Sequence, residues 1–152
     1  MNTPKNWKSI GGGIYGIVVG EPNYGEHDDR ELVYAEVYQQ LDDDDVDVYR
    51  WFYKMDRRDG PITDTDSSTS AMDASLDCEH AIATGLLAAP PSALIGLLRG
   101  NQSDVAARLG VAQSTISGWQ RDYEMSRLAR HLILAVLRFR FEPTDGRWWI
   151  TG

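Results

Sequence analysis

The sequence predicts an α+β protein: a small antiparallel three-stranded sheet plus one helix, followed by an all-α helix-turn-helix domain with an aromatic C-terminal tail. Strand-like segments occupy the first half, helical patterns separated by glycines occupy the second, and the net charge changes sign between them. Residues 1–90 carry 18 acidic and 7 basic side chains, whereas residues 91–152 carry 5 acidic and 8 basic ones. We therefore predict two domains, residues 1–89 and residues 90–152.

Three segments of the first half have the composition of strands. Residues 10–20 are rich in β-branched side chains and bounded by glycines. Residues 31–40 alternate between apolar side chains and aromatic or polar ones, and residues 46–53 are rich in β-branched and aromatic side chains. The aspartates at 42–45 separate the second segment from the third, and their mutual repulsion favours a hairpin loop in water. These segments predict a three-stranded sheet.

A helix is predicted over residues 71–88, where small and apolar side chains recur at three- and four-residue spacing. It can cover one face of the sheet. Cys78 in this segment is the only cysteine, which excludes a disulfide framework and a zinc site built on cysteines. We expect Cys78 to be a small core residue in a protein of the reducing cytoplasm.

Further helices are predicted around Gly110 and over residues 126–138. The last of them places five apolar side chains along one stripe: Leu128, Leu132, Ala135, Val136 and Phe139. In the tail, Asp145 and Gly146 form a turn signal between two aromatic segments, which favours a terminal hairpin.

Composition and motifs exclude several functions. The chain is 42% hydrophobic and 25% charged, as in globular proteins, and its N-terminus does not have the pattern of a signal peptide. Residues 128–137 form the longest apolar-rich segment, which is too short to span a bilayer. We find no spacing typical of a hydrolase, a phosphate-binding loop or a metal site. The sequence thus predicts no enzyme, no catalytic residue, no cofactor, no metal and no membrane contact.

Residues 102–121 have the residue types that a helix-turn-helix needs. Ala106 is small where the two helices approach each other most closely. Gly110 can adopt the left-handed conformation that ends the first helix. Four apolar side chains can close a small core between the helices: Val105, Leu109, Ile116 and Trp119.

The remaining positions of the second helix are polar and include no acidic side chain. Gly118 stands among them and lowers helix stability by ~1 kcal/mol relative to alanine. Such a face can enter a major groove, where glutamine pairs with adenine and arginine with guanine. The candidate DNA-binding side chains of this helix are Gln113, Ser114, Thr115, Ser117, Gln120 and Arg121.

The stretch LRGNQSDVAARLGVAQSTISGWQRD closely resembles the Cro/repressor-type (XRE-like) helix-turn-helix of phage and bacterial regulators. The resemblance covers residues 92–137. It implies that Gln113, Ser114, Ser117 and Arg121 face bases, while Gln102 and Ser103 contact phosphate at the start of the supporting helix.

The resemblance further implies a regulator that binds double-stranded DNA, an autorepressor acting as a homodimer on two half-sites. The basic excess of the second half is modest, so firm binding is expected to need two copies. The candidate dimer surfaces are residues 126–138 and 140–150.

Other interpretations stay open. The helix-turn-helix segment can be a hairpin kept only for packing, or it can bind protein instead of DNA. The acidic first half can instead bind a basic protein through its aspartate run, whose alternative role is a solvated loop. The chain would then be a phage or mobile-element inhibitor, an antitoxin or anti-CRISPR protein, whose helix-turn-helix autoregulates its operon. The candidate partner-binding residues are Asp42, Asp43, Asp44, Asp45 and Asp47.

Overall fold

The computed structural model describes residues 6–21, 32–41, 43–54, 62–63 and 68–151. The elements of the first half are β1 (Lys8–Gly11), β2 (Ile14–Val19), β3 (Val33–Leu41), β4 (Asp47–Lys54), β5 (Ile62–Thr63) and α1 (Ala71–Leu87). Those of the second half are α2 (Pro91–Ile95), α3 (Gln102–Leu109), α4 (Gln113–Gln120), α5 (Arg127–Val136), β6 (Phe139–Glu142) and β7 (Arg147–Ile150).

The first five strands form an antiparallel meander in which each strand pairs with the next along the chain. The prediction of a three-stranded sheet is therefore wrong, because four longer strands and the two-residue β5 are present. Residues 10–20, predicted as one strand, contain the turn of a hairpin. Gly11, Gly12 and Gly13 adopt φ angles of +95°, +62° and +76°, which turn the chain between β1 and β2.

The two faces of the sheet differ. Along β3, Val33, Ala35 and Val37 alternate with half-buried side chains, so one face is apolar and buried. Helix α1 packs on that face through the fully buried Cys78 and Ile82. Burial raises the pKa of the Cys78 thiol well above its ordinary value. The predicted helix and the core position of Cys78 are confirmed.

The second half is not all-α, so that part of the predicted fold class is wrong. After α5, the chain forms the antiparallel hairpin β6–β7, whose turn contains Gly146 at a φ of +64°. Alternation places Phe139, Trp148 and Ile150 in the core. The terminal hairpin expected from the aspartate–glycine turn is confirmed, and its apolar side chains explain why it packs against helices.

Polar contacts join α1 to β7. The buried Glu79 carboxylate accepts the Ile150 backbone N–H at 2.7 Å and the Trp7 indole N–H at 3.2 Å. His80 Nδ1 accepts the Trp148 backbone N–H at 3.1 Å. Burial raises the pKa of Glu79 and lowers that of His80, because it disfavours the charged form of each. One turn of α1 thus holds β7 in place.

The apolar side chains predicted to share one stripe of the last helix do not share one environment in the structure. Phe139 is in the core, whereas Leu128 is 81% exposed and Leu132 is 43% exposed. The buried side chains of α5 are Ile133 and Leu134. Periodicity locates an apolar stripe, but it does not show which of two adjacent stripes meets the core.

Buried side chains of both halves belong to one hydrophobic cluster that includes Trp7, Ile82, Ile116 and Ile150. Helix α1 contacts the sheet as well as α5 and β7. The division of the chain near residue 90 stays a prediction. In the described part of the chain, no helix has the length and apolar character needed to cross a membrane.

Candidate nucleic-acid interface

Helix α3 begins with reciprocal capping. The Asn101 side chain accepts the Asp104 backbone N–H at 2.9 Å, and the Asp104 carboxylate accepts the Asn101 backbone N–H at 3.3 Å. Two N–H groups that lack partners inside the helix are thereby satisfied. Asn101 is not among the residues predicted from the sequence, although the Asn-x-x-Asp spacing before an apolar pattern is a recognisable signal.

Gly110 ends α3 with φ +70° and ψ +32°, the left-handed conformation expected from the sequence. The Val111 backbone N–H reaches back to the Ala106 carbonyl at 3.0 Å, which closes the end of the helix. Residues 110–112 then connect α3 to α4. The prediction that Gly110 ends the first helix in the left-handed conformation is confirmed.

The two helices enclose the small core that the spacing predicted. The four side chains predicted to form it are buried: Val105, Leu109, Ile116 and Trp119. Ala106, predicted at the closest approach of the two helices, is buried as well. Helix α2 also packs against α4, so the second helix is held from two sides. The orientation of α4 relative to α3 is consequently determined by packing.

The outer face of α4 carries the side chains proposed to contact DNA. Gln113, Ser114, Gln120 and Arg121 are exposed, whereas Thr115 and Ser117 are half-buried. In the first turn of α3, Ser103 is exposed. These residues therefore lie on the accessible side of one two-helix unit.

Gln102 begins α3, at the start of the supporting helix as expected, and its side chain contacts α4. Its amide donates to Gln120 Oε1, and its carbonyl oxygen accepts from Gln113 Nε2 at 3.3 Å. Gln102 thus bridges Gln113 and Gln120, which lie about two helical turns apart at the two ends of α4. Its role in this structure is to orient Gln113 and Gln120, while a phosphate contact stays a prediction.

Arg121 at the end of α4 is held by its neighbours. Its guanidinium lies 4.7 Å from the centre of the Tyr123 ring, and its Nε donates to the Ser117 carbonyl at 3.4 Å. Tyr123 itself is 57% exposed. Tyr123 is not among the residues predicted from the sequence, because helical periodicity does not indicate a contact formed after the helix has ended.

The structure explains why residue 118 is a glycine, which the sequence did not reveal. A Cβ at this position would lie 3.0 Å from Tyr123 Cδ2, which is closer than ordinary van der Waals contact. The Tyr123 backbone N–H also donates to the Gly118 carbonyl at 2.9 Å. The glycine that weakens α4 therefore gives Tyr123 the space to support Arg121.

Two contacts attach the helix-turn-helix to the rest of the molecule. The Asp122 carboxylate accepts the Ser92 backbone N–H at 3.0 Å. Hydrogen bonding by the Ser92 side chain, and then by this backbone N–H, lowers the pKa of Asp122. Arg108 of α3 forms an ion pair with Glu21, which follows β2. The two-helix unit is thereby connected to α2 and to the sheet.

The acidic candidate residues lie elsewhere. Asp43, Asp44 and Asp45 form the turn between β3 and β4, Asp47 begins β4, and all four are exposed. Asp42 lies outside the described residues. Among the described residues, no hydrogen bond or ion pair joins this acidic turn to α4, and we treat the two candidate sites as separate surfaces.

No protein-family model matches the chain, and no curated protein or solved structure matches it significantly. The geometry of α3 and α4 is therefore the basis for a functional proposal.

Proposed function

We propose that the protein is a sequence-specific transcriptional regulator that binds double-stranded DNA by inserting α4 into the major groove. The observation that supports this proposal is the exposed polar face of α4, which contains no acidic side chain. The other side of α4 packs on α3. A helix presented in this way fits the width of the groove.

The side chains of this face are arranged before DNA is met. Gln102 orients Gln113 and Gln120, and Tyr123 supports Arg121. Side chains that are already ordered lose less conformational entropy on binding. In this proposal the glutamines read adenine, Arg121 reads guanine, and Ser103 contacts phosphate.

The active form in this proposal is a homodimer that represses its own operon. One copy offers few phosphate contacts, because Arg108 is engaged by Glu21 and Arg121 stands beside Asp122. The exposed apolar side chains of α5, Leu128 and Leu132, supply a surface for a second copy. Two α4 helices would then read half-sites about one helical turn apart.

Replacing Arg121 with alanine should weaken binding to the preferred DNA site by about 1–3 kcal/mol and relax the preference at one base pair. The site is first obtained by selection from random duplexes, and affinities are then measured by fluorescence anisotropy. Arg121→Lys, which keeps the charge but cannot form the two-pronged contact, should give an intermediate loss.

Lys8→Ala is the control, since Lys8 is an exposed cation on β1, outside the two-helix unit and outside the candidate dimer surfaces. Its affinity should equal that of the unmodified chain. An Arg121→Ala variant with unchanged affinity and unchanged site preference would contradict the role assigned to α4.

A second candidate function assigns the main activity to the first half: an inhibitor, of the antitoxin or anti-CRISPR type, that binds a basic protein. The exposed turn formed by residues 43–47 favours it, because four carboxylates there form a strongly negative surface. The face of the sheet that α1 does not cover carries a half-buried aromatic cluster, in which Tyr34 and Tyr38 both contact Phe52.

Expression of the tagged chain with its neighbouring genes tests this candidate. A stoichiometric basic partner should co-purify with the unmodified chain and be lost when the four aspartates are changed to asparagine, a substitution of nearly equal shape. Retention of the partner by the asparagine variant would exclude the acidic turn as the binding surface.

A further inference from the structure

A groove with a cavity volume of about 450 Å³ lies between the end of β2 and the C-terminal ends of α5 and β7. Its apolar walls include Ile17, Val19, Val136 and Ile150. Arg99 and Arg138 line the same groove from different elements of the fold. The lining exposes more polar than apolar surface, and the size of the groove lies in the range of small-molecule sites.

The two arginine side chains have charges that the fold leaves unneutralised. Among the residues that the structure describes, neither guanidinium has a hydrogen bond or an ion pair. The nearest carboxylate in the lining, Glu21, is already held by Arg108. Two unneutralised guanidinium groups beside an apolar surface attract an anion, which arginine binds through paired N–H donors.

Two hydrogen bonds hold the backbone of Arg99, one with Glu21 and one with Arg108 of α3. Its N–H donates to Glu21 Oε1 at 3.3 Å, and its carbonyl accepts from Arg108 Nη1 at 3.2 Å. These contacts occupy backbone groups and leave the side chain available for a ligand.

Arg138 has an unusual backbone conformation. It follows α5 with a φ of +73°, the left-handed region that glycine adopts readily and other residues adopt with difficulty. Its carbonyl accepts the Thr151 backbone N–H at 2.8 Å and the Thr151 hydroxyl at 3.0 Å. The fold therefore needs this backbone conformation but gains nothing visible from an arginine side chain, which suggests that the side chain acts on something else.

We propose that the groove binds a small organic monocarboxylate, whose carboxylate lies between Arg99 and Arg138 and whose hydrocarbon body contacts the apolar walls. The carboxylate is the part that the guanidinium groups recognise. The hydrocarbon body is the part that Ile17, Val19, Val136 and Ile150 remove from water. This binding does not involve DNA, so it is independent of the function proposed above.

Calorimetric titration of the full chain with octanoate tests the proposal, with n-octanol and inorganic phosphate as comparison ligands. Octanoate should bind saturably and more tightly than either, because only octanoate has both the charge and the apolar body. Arg138→Gly should weaken octanoate about ten- to hundredfold. Its thermal midpoint should be unchanged or higher, because glycine suits the backbone at that position.

Arg99→Gln is the second variant and should weaken octanoate similarly. Arg140→Gln, at an exposed position outside the groove lining, should bind octanoate as the unmodified chain does. Three results would each overturn the proposal: no saturable octanoate binding, unchanged binding by Arg99→Gln, or equal affinity for octanoate and either comparison ligand.

Discussion

Replacement of Glu79 with alanine is expected to lower the free energy of unfolding by about 3 kcal/mol. The Glu79 carboxylate is 2% exposed and accepts from the Ile150 backbone and from the Trp7 indole. Without it, both N–H groups stay buried with no acceptor, and a cavity remains between α1 and β7. Urea unfolding followed by tryptophan fluorescence measures the loss.

Glu79→Gln is the matched control, because its single carbonyl oxygen can replace only one of the two acceptors. Its loss of stability should be about half as large. Trp7→Phe removes the indole donor while keeping an aromatic ring, and so should cost less than Glu79→Ala. If Glu79→Ala unfolds at the same urea concentration as the unmodified chain, the carboxylate does not hold the hairpin.

Introduction of glutamate at both Leu128 and Leu132 should dissociate the proposed homodimer. These side chains are exposed on successive turns of α5, so carboxylates there face water in one copy but repel each other across an interface. Loss of the second α4 should weaken binding to a two-half-site duplex by about 10²–10⁴-fold. Sedimentation velocity gives the oligomeric state, and anisotropy gives the affinity.

The fold of each copy should persist in this double variant, since neither leucine belongs to the core. Leu76→Glu provides the control, because Leu76 is also an exposed apolar residue but lies on α1. Unmodified protein that sediments as a monomer at concentrations that saturate DNA would refute the dimer.

The two helices α3 and α4 and the turn between them could be predicted from the sequence because their constraints are local. Gly110 ends a helix through its own backbone conformation. The helical period places Val105 on the inner side of α3 and Ile116 and Trp119 on the inner side of α4, and the short turn between the helices brings them together. The exposure of Gln113 and Arg121 follows from the same period. None of these features depends on a distant part of the chain.

The number of strands could not be predicted in the same way. Three successive glycines can either precede a strand or form the turn of a hairpin. Gly11, Gly12 and Gly13 lie at such a turn here, and only the pairing of β1 with β2 distinguishes the two possibilities. The same limit applies within the site. The contact of Tyr123 with Gly118 depends on the direction that the chain takes after α4.

The sequence by itself determined the helix boundaries near Gly110, the polar face of α4 and the separation of the acidic turn from the arginine-rich half. These depend on periodicity and composition, which act over a few residues. Tertiary structure decided that the terminal hairpin returns to α1, that Leu128 stays outside the core, and that Arg99 and Arg138 meet at one groove. Those outcomes depend on packing between residues far apart in the chain, which local patterns do not encode.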